Sequence, residues 1–305
     1  MKKKKRLLAV LVFILVIALI VLIILSSSNL AGGQGRHGKA RIAVIRLEGP
    51  IAKEGFYFTK TSNPDEIISA IKKAQSYDGV LLYIDSPGGS AVSSFKIERA
   101  IKNFKTNSTK PVVAYIDEEG LSGAYLVASA ADRIYASSMA LVGSIGVTAS
   151  YLEFAGLLER YNISYINLTK GAYKEMANPL KHITESERAL LEKKLQLIYD
   201  AFIDEVAENR NISKEKALEL ANGEFFIAEE ALEKGLIDKI AYFDEIKAEL
   251  EQELNKSIEL IELTKPSSLI EQIKKLFSFG FYSFGYGIGS GFGDVLKNEV
   301  GIKLS

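Results

Sequence analysis

The sequence predicts an α/β protein: a mostly parallel sheet surrounded by helices, with a helical C-terminal part and one transmembrane helix ahead of it. Three observations predict this. Strand-like and helix-like patterns alternate between residues 42 and 168, as repeated βαβ units require. Beyond Lys174 only helical periodicity continues. Before both, Leu7 to Leu25 is an unbroken apolar run, mostly Leu, Ile and Val.

The elements follow in order. Ile42–Leu47 reads as a strand, and Asp65–Gln75 carries helical spacing through Ile67, Ile68, Ile71 and Ala74. Val80–Ile84 is a buried-type strand running into Asp85-Ser86-Pro87-Gly88-Gly89, followed by a helix near Val92–Phe104. Pro111–Ile116 is the next strand, and a small-residue helix runs from Ser122 through Ala131. Short strands are expected at Ile134–Ala136 and Ile145–Thr148, a helix at Leu152–Arg160 and a strand near Tyr165–Leu168. Glu185–Glu208 is a long amphipathic helix with Leu190, Leu191, Leu195, Ile198, Tyr199, Phe202 and Val206 on one stripe, a pattern of core or subunit interface. Helices at Lys214–Ala221, Ala228–Lys234 and Phe243–Leu254 follow, the second stopped by Gly235.

At about 1.5 Å per residue the apolar run nearly spans a hydrocarbon core of roughly 30 Å. It is longer than the apolar part of a signal peptide, and Ser28-Asn29-Leu30-Ala31 makes a poor cleavage site, so an uncleaved anchor is expected. Lys2 to Arg6 precede the run, which keeps the amino end cytoplasmic and exports the body; Arg36, Lys39 and Arg41 oppose that orientation without reversing it. The expected organisation is a basic tail (1–6), a membrane anchor (7–26), a Ser- and Gly-rich linker (27–40), a catalytic domain (41–265) and an amphipathic, Gly- and aromatic-rich tail (266–305). That tail could lie on lipid headgroups, dock on another subunit or stay disordered. The expected location is therefore the cell membrane, single-pass, with the catalytic domain on the extracytoplasmic side.

Composition removes several chemistries. With 48% hydrophobic and 25% charged residues the chain can bury a core. Outside its basic amino end it is mildly acidic, which argues against a nucleic-acid partner. There is no cysteine, so disulfides, thiolate catalysis and thiolate metal sites are excluded. The two histidines, His37 and His182, leave little for a Ser-His-Asp triad or a histidine metal site. His37 reads as linker; His182 is a possible base or a turn residue. No cofactor and no metal are expected. Asn107, Asn162, Asn167, Asn211 and Asn255 open Asn-x-Ser/Thr triplets, a pattern short enough to recur by chance.

Acyl transfer by serine needs a nucleophile, a base and donors for an oxyanion. Ser122, in Gly120-Leu121-Ser122-Gly123-Ala124-Tyr125, stands where a strand turns into a helix, with the Gly123 N–H beside it; helix capping is the alternative role. Gly88-Gly89 after a buried strand suits a backbone donor, or merely the turn. Lys174, in Lys170-Gly171-Ala172-Tyr173-Lys174, is the candidate base. A lysine near its reference pKa of about 10.4 is protonated at neutral pH, so a base role demands desolvation. Ser144, in Gly143-Ser144-Ile145-Gly146-Val147, could orient such an amine or be a turn serine.

These segments, together with Asn222-Gly223, Ala228 and Gly235-Leu236-Ile237-Asp238, occur in an order that resembles signal peptide peptidase A, a family of membrane-anchored serine proteases of the Clp/crotonase superfamily. The match extends over about residues 41–250 and has the short, single-unit form. The resemblance implies a Clp/crotonase-like core of repeated ββα/βαβ units. It implies Ser122 as nucleophile, Lys174 as general base, Ser144 as the group that orients the lysine, and Gly89 and Gly123 as oxyanion-hole donors. It further implies apolar peptide substrates such as remnant signal peptides, and a homo-oligomer in which Ser and Lys of one site can come from adjacent subunits. Ser122 is followed by Gly-Ala where many members have Gly-Gly, and the tail has no counterpart. The alternatives are a stomatin-associated membrane protease of the same fold, a crotonase-like hydratase using Glu118 and Glu119, and a non-catalytic scaffold.

Overall fold

A computed structural model describes residues 38–53 and 60–264. The expected anchor at 7–26, most of the linker at 27–40 and the tail at 266–305 lie outside them. No helix among the described residues is long and apolar enough to cross a membrane.

The strands are β1 (Ala40–Glu48), β2 (Gly79–Ser86), β3 (Val112–Leu121), β4 (Arg133–Ala136), β5 (Leu141–Gly143), β6 (Phe225–Ile227), β7 (Lys239–Ile240) and β8 (Ile258–Glu262). The helices are α1 (Pro64–Lys73), α2 (Ala91–Thr106), α3 (Gly123–Ser129), α4 (Ala155–Arg160), α5 (Glu185–Arg210), α6 (Lys214–Leu220), α7 (Ala228–Glu233) and α8 (Phe243–Glu253). The sheet runs β6-β5-β3-β2-β1-β8, with β4 pairing β3 and β7. Every pairing is parallel except β5 with β6. This agrees with the expected α/β class.

The sheet is buried on both faces, which explains its apolar strands. Ala43, Ile45, Leu47, Val80, Leu82, Ile84, Val112, Ala114 and Ile116 face the large core under α1, α2, α3, α5, α6 and α7. The alternate residues Ile42, Val44, Leu81, Val113 and Tyr115 face a smaller core closed by Ile246 and Leu250 of α8. On that side the Tyr83 ring packs edge to face with those of Tyr115 and Phe243, which are tilted against each other, all at 5.6–6.0 Å, and both tyrosine hydroxyls donate to Asp117.

Two features position the site. The first half of β3 pairs with β4 (Val113–Ile116) and its end with β5 (Glu119–Leu121). The other edge pairs with β2, with a register shift just before Pro87. The second feature is α3, buried along its whole length. Its Tyr125 hydroxyl donates to the Leu236 carbonyl at 2.8 Å, and Asn209 Nδ2 of α5 donates to Ser129 Oγ at 3.0 Å and to the buried Glu98 carboxylate of α2 at 3.3 Å. Burial raises the Glu98 pKa above the ordinary carboxylate range.

Some expected elements differ. Ile145–Thr148 is not a strand: the pairing segment is Leu141–Gly143, and Gly143 (φ 99°) and Ser144 (φ 49°) turn the chain away. Tyr165–Leu168 has no strand because no other described strand lies alongside to accept its bonds. The helix expected from Leu152 begins only at Ala155. Gly235 does end its helix: its φ is +76°, and Leu236 N–H donates back to the Ala231 carbonyl at 2.8 Å.

Tyr125→Phe leaves the buried Leu236 carbonyl without its donor, and a destabilisation of about 1–2 kcal/mol is expected. Equilibrium denaturation of the two proteins measures it; unchanged stability would show that this bond does not hold α3.

Candidate active site

β3 ends at Leu121, and Ser122 occupies the N-cap position of α3 with φ 50° and ψ −123°. A serine at an ordinary N-cap has extended backbone and accepts from a helix N–H. Ser122 has neither feature: its φ is positive and its side chain makes no capping bond. Its N–H donates to the Gly143 carbonyl at 2.7 Å, which fixes the turn against the end of β5. A non-glycine residue in such backbone costs on the order of 1–3 kcal/mol and persists only where its surroundings enforce it.

Gly88 and Gly89 are part of that enforcement. A Cβ on Gly88 (φ +90°) would lie 2.7 Å from the Leu121 carbonyl oxygen, 2.8 Å from Gly123 N and 2.9 Å from Ser122 Cβ. A Cβ on Gly89 (φ +151°) would lie 2.4 Å from the Ile51 carbonyl oxygen. The turn is held by Ile51 N–H to the Gly88 carbonyl and Ser90 N–H to the Ile51 carbonyl. Neither the Gly89 nor the Gly123 N–H is engaged by a turn, loop or cap partner among the described residues.

Ser122, Gly123, Gly89 and Ser144 share the wall of one cleft of about 890 Å³. Ser144 also has positive φ; its N–H donates to the Glu224 carbonyl at 2.8 Å and its hydroxyl to the Gly223 carbonyl at 3.3 Å. The rest of the lining is largely apolar: Phe95 from α2, Leu126 from α3, Val147, and Leu195, Ile198, Tyr199 and Phe202 from α5. The α5 stripe therefore divides. Ile203 and Val206 are core, Phe202 is buried at the boundary, and the preceding turns line the cleft. Sequence reasoning missed this contribution, because one apolar stripe serves both purposes. Asn222 and Gly223 also line the cleft.

Lys174 is not among the lining residues. It is exposed, on a turn where its N–H donates to the Gly171 carbonyl at 3.1 Å. The segment from Thr148 to Ile183 that carries it is dominated by exposed positions, including Leu152 (73%), Ile166 (81%) and Leu168 (94%). Within one chain, Ser122 and Ser144 are brought to the cleft and Lys174 is not.

His182 also lies away from the cleft, paired with Glu153 and Glu159. Glu118 and Glu119 line a separate hollow with Asp117, Met139 and Tyr242, not the Ser122 cleft. Burial, followed by the Asp85 and Glu118 charges, raises the Glu119 pKa. That is the wrong place for a hydratase acid–base pair acting beside Ser122. Among the described residues no group of three or more His, Asp or Glu is placed to hold a metal ion.

Comparison with known proteins gives the family and the fold. The profile of peptidase family S49 matches residues 105–257. A protein of Methanocaldococcus jannaschii provisionally named a protease is 35% identical over 75% of this chain and 72% of its own length. An Enterococcus faecium protein provisionally named signal peptide peptidase SppA is 30% identical over 70% of this chain and 63% of its own. Among solved structures, an alanine mutant of the 1510-N membrane-bound stomatin-specific protease superposes with a TM-score of 0.50 at 17% identity, covering 75% of this chain and 99% of that one, which is a likeness of fold.

Gly88→Ala places a methyl group against three backbone or Cβ atoms of the Ser122 turn, and a loss of at least about 1–3 kcal/mol is expected. Gly156→Ala, in α4 with nothing within 4 Å of its Cβ, should be neutral or stabilise by up to about 1 kcal/mol. Thermal denaturation of both variants makes the comparison; equal stability would refute the tight packing at residue 88.

Proposed function

Because the chain belongs to peptidase family S49, the signal peptide peptidase A family of serine proteases, we propose that it is a membrane-anchored endopeptidase acting through a Ser122–Lys174 dyad on apolar peptides such as remnant signal peptides. The observation that carries the reading is Ser122: a strained, uncapped serine facing an apolar cleft beside two glycine N–H groups. The neutral Lys174 amine takes the Ser122 hydroxyl proton as Oγ attacks the scissile carbonyl carbon. The electron pair of the carbonyl moves to its oxygen, which the Gly89 and Gly123 N–H groups stabilise. Collapse expels the amine of the peptide, which takes up the proton from Lys174. Water, activated by the same lysine, then hydrolyses the acyl-enzyme, while Ser144 orients the amine.

Lys174 reaches this site from a second copy of the chain. Its absence from the cleft wall of its own chain and the exposed apolar side chains around it support that arrangement. Burial between copies would supply the desolvation that a lysine base requires. The apolar lining supports an apolar substrate, and the unbroken run at Leu7–Leu25 supports the anchor. The catalytic domain then lies on the extracytoplasmic side, and the working form is a homo-oligomer.

A fluorophosphonate probe should label Ser122 and leave Ser122→Ala unmarked. Ser122→Ala and Lys174→Ala should each lower kcat on an apolar peptide by at least about 10³-fold. Mixing the two inactive variants under conditions that allow subunit exchange should restore part of the activity, since some sites would then combine an intact serine with an intact lysine. Labelling that persists in Ser122→Ala overturns the nucleophile. Full activity in Lys174→Ala overturns the base. A mixture that stays inactive despite exchange overturns delivery from a neighbour.

A further inference from the structure

His182 has a defined place that the serine chemistry does not use. Its Nδ1 lies 2.7 Å from Glu153 Oε1, just ahead of α4, and its Nε2 lies 3.3 Å from Glu159 Oε1, within α4. The same Glu153 accepts from the Ile183 N–H at 3.0 Å, and the Phe154 N–H donates to the Pro179 carbonyl at 2.6 Å. The end of the loop that carries Lys174 is thereby fastened to α4 on both sides of residue 182. Directly after it the chain is anchored again: Thr184 and Glu187 form the capping box of α5, and Glu187 accepts from Lys181 Nζ at 2.6 Å. At the near end of the loop, Tyr165 donates to Glu175 at 2.7 Å, and Asn178 bridges both residues. Residues 170–183 are thus a braced turn that presents Lys174 outward.

We propose that His182 is a positioning residue for Lys174: by bridging Glu153 and Glu159 it clasps the lysine-bearing loop to α4. The proposal rests on the reading of Lys174 as the base. Its physical core is hydrogen-bond arithmetic. A neutral imidazole has one N–H and no charge, and so can hold one carboxylate; only the imidazolium donates to Glu153 and also pairs with Glu159. The clasp is therefore whole when His182 is charged and halved when it is neutral. The groups facing the ring are Glu153 and Glu159; on its own loop is Lys181, whose ammonium is held by Glu187. The hydrogen bond to Glu153, joined by the charges of Glu153 and Glu159, raises the His182 pKa above its ordinary value. The clasp then contributes in full below about pH 6.5, the ordinary histidine value, and is lost as pH rises through the raised value. Activity that depends on the clasp therefore declines on the alkaline side.

The whole chain carries two histidines, so its imidazole resonances can be followed by NMR, with His37→Gln giving the assignment. His182 should titrate above about 6.5 and fall back in Glu153→Gln. In peptide cleavage, His182→Gln should lower kcat about tenfold near neutral pH with KM little changed, because the clasp places the base and no loop residue other than Lys174 is assigned a contact with substrate. His182→Arg, which stays charged and keeps two carboxylate partners, should restore kcat and remove the alkaline decline of the wild type. An ordinary titration of His182, or pH profiles of the Gln and Arg variants that superimpose on the wild type, overturns the clasp. If Lys174→Ala is inactive in the same assay, the dyad survives that result. Full activity in Lys174→Ala overturns the dyad, and the positioning role with it.

Discussion

The cleft depends on how β3 is held at its end. Its last residues are bonded to β5 on one edge and meet the shifted register of β2 on the other, so neither edge can relax. The Ser122 N–H is tied to the Gly143 carbonyl, and Gly88 presses on Leu121, Ser122 and Gly123 from the opposite side. The turn therefore inherits the rigidity of a sheet buried on both faces, and close packing there leaves one arrangement available. That is the condition for preset oxyanion donors: N–H groups that need no rearrangement when charge develops in front of them.

Rigid sheet and exposed segment are built by different means. The cleft side is held by close-packed apolar residues and by buried polar links such as Asn209 between Glu98 and Ser129. The Thr148–Ile183 segment has few buried side chains and is organised by hydrogen bonds among its own residues, with Tyr165, Glu175 and Asn178 at one end and Glu153, Glu159 and His182 at the other. Such exposed bonds compete with water and are individually weak.

Much of the fold was legible because periodicity is a strong signal over ten residues or more. The helices expected at 65–75 and 185–208 are found at Pro64–Lys73 and Glu185–Arg210, and the strands at 42–47 and 80–84 lie inside β1 and β2. β6 and β7 were not legible, since strands of three and two residues have no period. Ile258–Glu262 is interrupted by two glutamates and becomes β8 by pairing with the edge of β1. Tyr165–Leu168 shows the converse, strand-forming residues without a neighbour. At the site, the glycine and serine motifs led to Gly89, Ser122, Gly123 and Ser144, which do converge. The backbone strain at Ser122 and the lining by α5 had no local sequence signal, because both arise from distant contacts. Asn162, Asn211 and Asn255 have left-handed backbone, which accounts for asparagine at three of the five triplets without invoking modification.

Ser122 sits in backbone where glycine would be more comfortable. Selection for folding alone would favour losing its Cβ, the atom that such backbone crowds. A population of variants screened only for heat resistance should accumulate Ser122→Gly and neighbouring changes that relax the turn. The survivors would be sturdier proteins with the same cleft and no hydroxyl at its strained turn.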